Sequence, residues 1–250
     1  MRNEASWRPS KYIRRGNHWI SNNNPHEVGT GSILISNIIA RTYDKHINNY
    51  ASGHLLDLGC GKVPLYGIYR NAVDNITCAD WIDREHVDIV TNLAQPLPFP
   101  DSAFDTIIMS DVLEHVPNPD LVWREMTRTL APGGHILLNV PFFYWIHEHP
   151  HDFYRYTNFA LLRFVSINNL ELKHLEAIGG ILETWTDLHA KIMTKIPFIG
   201  KPLAILLQSS INLFNRCRPG QFIAKKSARH FPLGYFIVAQ KPHSHQTNSL

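Results

Sequence analysis

Cysteine is scarce in this chain. Cys60, Cys78 and Cys217 are the only three, and none sits in a CxxC pair or at metal-ligand spacing. An odd, sparse set excludes a disulfide framework and fits the reduced thiols of a cytoplasmic protein. No uncharged apolar run approaches the roughly eighteen residues that a bilayer-spanning helix needs. The N-terminus is polar and basic (Arg2, Arg8, Lys11, Arg14, Arg15) and lacks the apolar stretch of a secretory signal. Internal repeats are absent. Acid is missing from the C-terminal end: all 21 Asp and Glu lie at or before Asp187, and nine Lys and Arg follow it. The net charge of +3 therefore hides an acidic body and a basic tail. Such a block is either a solvated face or a surface that meets an anionic partner.

What is present suits one α/β domain, because 250 residues can bury a substantial core but cannot hold two full-sized enzymes. Residues 1–30, rich in Asn, Gly and Pro, read as an N-terminal arm. Residues 31–48 place Ile33, Ile35, Ile38, Ile39 and Tyr43 near helical spacing, which predicts a helix. Short apolar runs at 54–60, 75–81, 87–92, 104–112 and 135–141 read as buried strands. A sixth strand is expected within 170–179 and a seventh over 231–241. Asn118-Pro119-Asp120 opens a helix to about residue 130, and Ala131-Pro132-Gly133-Gly134 reads as a stop and turn. Thr157 opens another helix. Strands alternating with helices predict a parallel sheet with helices on both faces. The expected domain runs over 31–242, with a basic, apolar insertion at about 181–230 and a polar tail at 243–250.

The strongest local signal is Asp57-Leu-Gly59-Cys60-Gly61 at the end of the first strand. Small residues at a strand-to-helix turn let a ligand approach the backbone, whose N–H groups can hold an anion, and Asp57 suits a cationic amine. The dinucleotide fingerprint GxGxxG uses the same turn, but its third glycine is Pro64 here. About twenty residues on, Asp80 closes the second strand, where an acid hydrogen-bonds ribose hydroxyls. Trp81 beside it offers a face to a base or is simply packing.

These motifs, LLDLGCG, CADW, DIVTNLAQPLPFPDSAFDTIIMSDVLEHVPNPD and LAPGGHILLNVP in that order, resemble the class I methyltransferases and are most similar to the type 11 methyltransferase domain. The resemblance covers about residues 50–142. It implies an α/β Rossmann-like fold: a seven-stranded, mostly parallel sheet with the last strand antiparallel, and S-adenosylmethionine across the carboxyl ends of the strands. It further implies that Gly59, Cys60 and Gly61 border the methionine part and that Asp57 serves its amino group. Asp80 would hold the ribose, with Trp81 beside it, Asn92 and Leu93 would bind adenine, and the Ser110 carbonyl would face the amine. Many members carry an acid at the position of Asn92, whose amide oxygen can still accept a hydrogen bond. Glu114 and His115 fall in the turn that borders the site, in contact with it or as helix-start polar residues.

The acceptor side should be the segment after the fifth strand, PFFYWIHEHPHDFYRYT, which gathers aromatics, imidazoles, an acid and an arginine. Methyl transfer to oxygen needs a base, and His147, His149, His151 and Asp152 are the candidates. A structural role, with Asp152 paired to Arg155 and Thr157 capping the next helix, is compatible with this. HEHPHD is not the helical HExxH of zinc proteases and Pro150 argues against a helix, so no metal is expected. IHEHPHDFYRYT also resembles a subset of type 11 methyltransferases found with bacterial surface-glycan enzymes, which makes a sugar hydroxyl the leading acceptor. The apolar stretch 196–218, flanked by Lys and Arg, reads as a lid or core helix, or as a helix lying on an anionic membrane. No nucleic-acid partner is expected, since the body is acidic and no recognition motif is present. Two other functions compete: an NAD-dependent oxidoreductase, disfavoured by Pro64 and the lack of a TyrxxxLys pair, and a non-catalytic nucleoside-binding member of the fold.

Overall fold

The computed structural model describes residues 1–243. The polar tail beyond residue 243 lies outside the described residues. Chain order is β1 (Tyr12–Arg15), β2 (His18–Ser21), α1 (Ile33–Tyr50), β3 (His54–Leu58), α2 (Tyr66–Tyr69), β4 (Asn75–Asp80), β5 (Ile89–Val90) and β6 (Phe104–Ser110), then α3 (Pro119–Thr129), β7 (Leu130–Pro141), α4 (Asn158–Ile167), β8 (Glu171–Ile178), α5 (Ile181–Met193), α6 (Gly200–Phe214), α7 (Arg218–Ser227) and β9 (Gly234–Gln240).

Seven strands form one sheet in the order β5-β4-β3-β6-β7-β9-β8. Pairing is parallel from β5 through β7, and β9 runs antiparallel to both β7 and β8. This is the expected sheet with its antiparallel last strand. The central strands lie between two helical layers, so they are apolar on both faces and lack the alternation of a half-exposed sheet. Leu56, Leu58, Ile107 and Met109 pack on one face with Trp123 and Met126 of α3. Leu55, Ile108 and Leu137 pack on the other with Tyr43 of α1 and Tyr69 of α2. The start of α3 is set locally: the Asn118 side chain accepts from the Leu121 N–H at 3.2 Å and Pro119 occupies the first turn.

Two segments differ from expectation. The Ala131–Gly134 stretch is no turn between elements; it is an irregularity within β7, where Phe104 faces Leu130 but Thr106 already faces His135. Gly134 lies against the Asp105 carbonyl, where a Cβ would come within 2.8 Å, so the bulge needs a residue without a side chain. The first thirty residues are more ordered than an irregular lead-in. β1 and β2 form a hairpin around Gly16 and Asn17. Ahead of it, the Trp7 indole donates to the Val63 carbonyl at 3.1 Å and packs on Tyr66. The insertion folds as α5–α7 and seats on the start of α1, where Gln208 accepts from the Leu34 N–H and donates to the Thr30 carbonyl.

Candidate functional site

The carboxyl ends of β3, β4, β6 and β7 open into one cavity of about 1000 Å³, roofed by residues 10–11 and 26–29 of the N-terminal segment. Its floor is the turn after β3. Gly59 there has φ of +77° and sits against Val112, whose methyl a Cβ would meet at 2.5 Å. Gly61, at φ +56°, faces open space. The amides expected to hold an anion are already committed. Gly59 and Cys60 N–H both donate to the Ala79 carbonyl, and Gly61 N–H donates to Asp80 Oδ2 at 2.8 Å. What the turn offers a ligand is close approach at Gly61 and not a ring of free donors.

Asp80 lines the cavity. Its second oxygen accepts from the Ile82 N–H at 3.0 Å, so each carboxylate oxygen keeps a lone pair for a ribose hydroxyl. Trp81 is 59% exposed, and His151 meets it edge-on at 5.1 Å. Asn92, Leu93 and Ser110 also line the cavity; the Asn92 amide oxygen accepts from the Ala94 N–H. Asp57 is placed differently. It is buried outside the cavity lining, accepts from the Tyr69 hydroxyl at 2.8 Å, and burial pushes its carboxyl up to about 7.

A buried network behind Ser110 escaped the sequence reading. The Tyr43 hydroxyl donates to Asn139 Oδ1 at 2.9 Å, the Asn139 amide donates to Asp111, and Lys11 closes on Asp111 at 3.2 Å. It ties α1 and the N-terminal segment to the cavity edge. A polar Asn inside the apolar run HILLNVP was the available signal, since a buried amide demands partners.

The segment after β7 forms the far wall. Asp152 is gripped by Arg155 through two hydrogen bonds, at 2.6 and 2.8 Å, and accepts from the His147 backbone N–H. Arg155 holds its carboxyl well below the usual carboxylate range. Thr157 caps α4 by accepting from the Ala160 N–H. The Asp152 side chain thus holds the His147 backbone, and the His147 ring lies beside it without a hydrogen bond, Nδ1 3.2 Å from Oδ2. His149 and His151 are exposed and line the cavity.

Glu114 and His115, which the sequence placed only near the site, are part of its wall. Glu114 is fully buried, and burial holds its carboxyl well above the usual range, with Asp111 adding to the shift. Among the described residues neither of its side-chain oxygens has a hydrogen-bond partner.

Comparison with known proteins places this geometry in a class. Residues 56–138 match the family model for the methyltransferase domain of type 11. The chain is 39% identical over 54 residues to the ubiquinone/menaquinone biosynthesis C-methyltransferase UbiE of Hahella chejuensis, 22% of either chain. It is 30% identical over 101 residues to norajmaline N-methyltransferase of Rauvolfia serpentina, 34% of this chain and 35% of that one. It thus spans between about a fifth and a third of the length of these curated relatives. Among solved structures, geranyl diphosphate methyltransferase in complex with SAM superposes with a TM-score of 0.54 at 14% identity, over 88% of this chain and 93% of that one. The [4+2]-cyclase SpnF superposes with a TM-score of 0.53 at 17% identity, over 94% and 87%. The chain carries a class I methyltransferase domain. Residues 56–138 are the part that resembles the type 11 domain, and a helical insertion lies between β8 and β9.

Proposed function

We propose that the protein transfers the methyl group of S-adenosylmethionine to a hydroxyl oxygen of a small-molecule or glycan-type acceptor. One observation carries the reading: the Gly59–Gly61 turn and Asp80 border the same cavity as an imidazole-rich wall from a different strand. Asp80 presents two acceptors suited to a vicinal diol, Gly61 allows close contact, and Trp81 offers an aromatic face to a base. The cofactor supplies an electrophilic sulfonium methyl. The chain's part is to align the acceptor in line with it, exclude water and take a proton. Oxygen is favoured as acceptor because two imidazoles without ring hydrogen bonds among the described residues, His149 and His151, line the cavity. The relatives named for carbon and nitrogen acceptors, and a cyclase on the same fold, make the acceptor atom a property of this wall and not of the sheet.

Calorimetric titration tests the cofactor half. S-adenosylhomocysteine should bind in the micromolar range, roughly −7 to −8 kcal/mol, and NADH should give no heat. Binding of NADH with none of S-adenosylhomocysteine would make the protein a dinucleotide enzyme.

The same reading extends to where the enzyme works. No helix of the described residues is long and apolar enough to cross a membrane. The insertion nevertheless exposes Ile192, Phe198, Leu206, Leu213 and Phe222, with Phe198 99% exposed, and also exposes Lys195, Lys201, Lys225 and Lys226, the last of them over the Phe222 ring. Exposed apolar side chains rimmed by cations suit the headgroup region of an anionic membrane, and the location would be the cytoplasmic side of one. Co-sedimentation with phosphatidylserine vesicles should be strong at low salt and fall steeply as salt screens the charges. If the chain stays in the supernatant at low salt, α5–α7 serve only as the cover that packs on α1.

A further inference from the structure

Three side chains at the cavity wall are arranged as ligands. The Glu114 carboxyl is buried with both oxygens unpartnered, so it gives up its proton only where positive charge is brought to it. Arg155, the nearest permanent cation on that wall, is spent on Asp152 and on backbone carbonyls. What faces Glu114 is two imidazole nitrogens: His115 Nε2 at 3.5 Å and His147 Nε2 at 3.9 Å.

The orientation of the two rings is informative. His115 Nδ1 lies 2.8 Å from the His151 carbonyl, which can only accept, so Nδ1 carries a proton and Nε2 is the nitrogen that faces Glu114. His147 turns Nδ1 towards Asp152, 3.2 Å away, and Arg155 locks that carboxylate in place. Each imidazole thus turns its inner nitrogen towards the same carboxylate, and the outer nitrogen of His115 is held by a hydrogen bond, the way metal-binding histidines are oriented. The three ligand atoms lie within 4.8 Å of one another, against about 3.4 Å between ligands of a tetrahedral ion with bonds near 2.1 Å. A small inward movement of two partly exposed rings closes the gap.

We propose that Glu114, His115 and His147 bind one divalent transition-metal ion, with its open coordination positions turned into the cavity. Two imidazoles and one carboxylate suit Zn²⁺, Mn²⁺, Fe²⁺ or Co²⁺ better than Ca²⁺, which takes oxygen alone. This reverses the expectation of no metal. That expectation looked at HEHPHD, whereas the ligands come from two separate strand ends, and His149, His151 and Glu148 are not among them. The site stands on its own geometry. Its use, polarising an acceptor hydroxyl that a neighbouring imidazole then deprotonates, rests on the methyl-transfer reading. A second cluster, His46, His174 and Glu176, is a weaker candidate because Glu176 already accepts from Lys45 and His46.

The test uses the untagged full-length chain, stripped with chelator and titrated with Zn²⁺ by calorimetry and with Co²⁺ by visible absorption. One equivalent should bind, with a cobalt spectrum of mixed nitrogen and oxygen ligation. Glu114→Gln and His147→Ala should each weaken Zn²⁺ at least tenfold, as should His115→Ala, while His174→Ala should leave it unchanged. Circular dichroism and S-adenosylhomocysteine binding, measured on every variant, separate lost ligation from lost folding and keep this proposal apart from the cofactor reading. Should Glu114→Gln fail to fold, the two histidine variants, which lie nearer the surface, decide the matter. A folded wild type that takes up no stoichiometric ion overturns the site. So does a titration unaffected in Glu114→Gln, His115→Ala and His147→Ala, or abolished only in His174→Ala.

Discussion

Replacing both His149 and His151 by Asn should lower turnover about 10²–10⁴-fold, the usual contribution of a positioned acid–base group. The assay is transfer of labelled methyl from S-adenosylmethionine to a hydroxyl acceptor chosen from a panel of sugars and phenols. Of the four side chains that the sequence offers as bases, two are unsuited. Asp152 is held by Arg155 and its carboxyl lies well below the usual range, so it has little affinity for a proton. His147 is wedged between Glu114, His115 and Asp152. His149 and His151 border the cavity and carry no ring hydrogen bond among the described residues. Asparagine keeps polarity and approximate size but has no basic nitrogen, so it isolates the proton-transfer role. Affinity for S-adenosylhomocysteine should stay within about threefold, roughly 0.7 kcal/mol, because neither ring is needed to hold the nucleoside. Normal turnover in the double variant would put the base elsewhere and leave His151 as packing against Trp81.

The sheet was legible because its strands are short apolar runs ended by Gly, Pro or Asp, and burial on both faces leaves little else for them to be. Helix α3 was legible for a local reason, the Asn118 cap followed by proline. Less legible was whatever depends on two distant segments meeting. YIRR and HWIS have no alternation, so nothing in β1 and β2 announces a hairpin; the contacts of Trp7 and Lys11 with residues more than fifty positions away show where that segment belongs. The APGG stretch carries a turn signature, and its bulge appears only when β6 supplies the register. The glycine motif lies at the cavity, but which of its N–H groups stay free depends on where the Ala79 carbonyl falls. Glu114 and His147 are 33 positions apart, each unremarkable alone, and only adjacent strand ends bring them to one wall. Asp152 and Arg155 lie three residues apart, and that pairing could be read from the sequence and is present.

Asp80→Ala should weaken S-adenosylhomocysteine by about 1.5–3 kcal/mol, between roughly tenfold and 150-fold, the range for hydrogen bonds to a charged group. Under the proposed function this side chain has two duties. Towards the cavity, which it lines, its oxygens would accept from ribose hydroxyls. Towards the backbone they accept from Gly61 N–H at 2.8 Å and Ile82 N–H at 3.0 Å, which fixes the turn that borders the ligand. Alanine removes both duties, and the freed amides turn to water at the cavity rim. Asparagine separates them. Its carbonyl oxygen replaces one carboxylate oxygen, but its NH₂ must face the other backbone N–H, donor against donor, and it brings no charge. If direct ribose contact dominates, Asp80→Asn should recover part of the lost affinity, since one acceptor remains for a hydroxyl. If the turn dominates, Asn should bind as poorly as Ala, because the mismatched amide displaces Gly61 as much as the missing side chain does. Calorimetry gives the affinities, and thermal melting of each variant without ligand shows whether the fold is intact; Asp80 ends its strand at the cavity, outside both apolar clusters. Unchanged affinity in a folded Asp80→Ala protein would remove this residue from the cofactor site, and with it the main anchor for a ribose in this cavity.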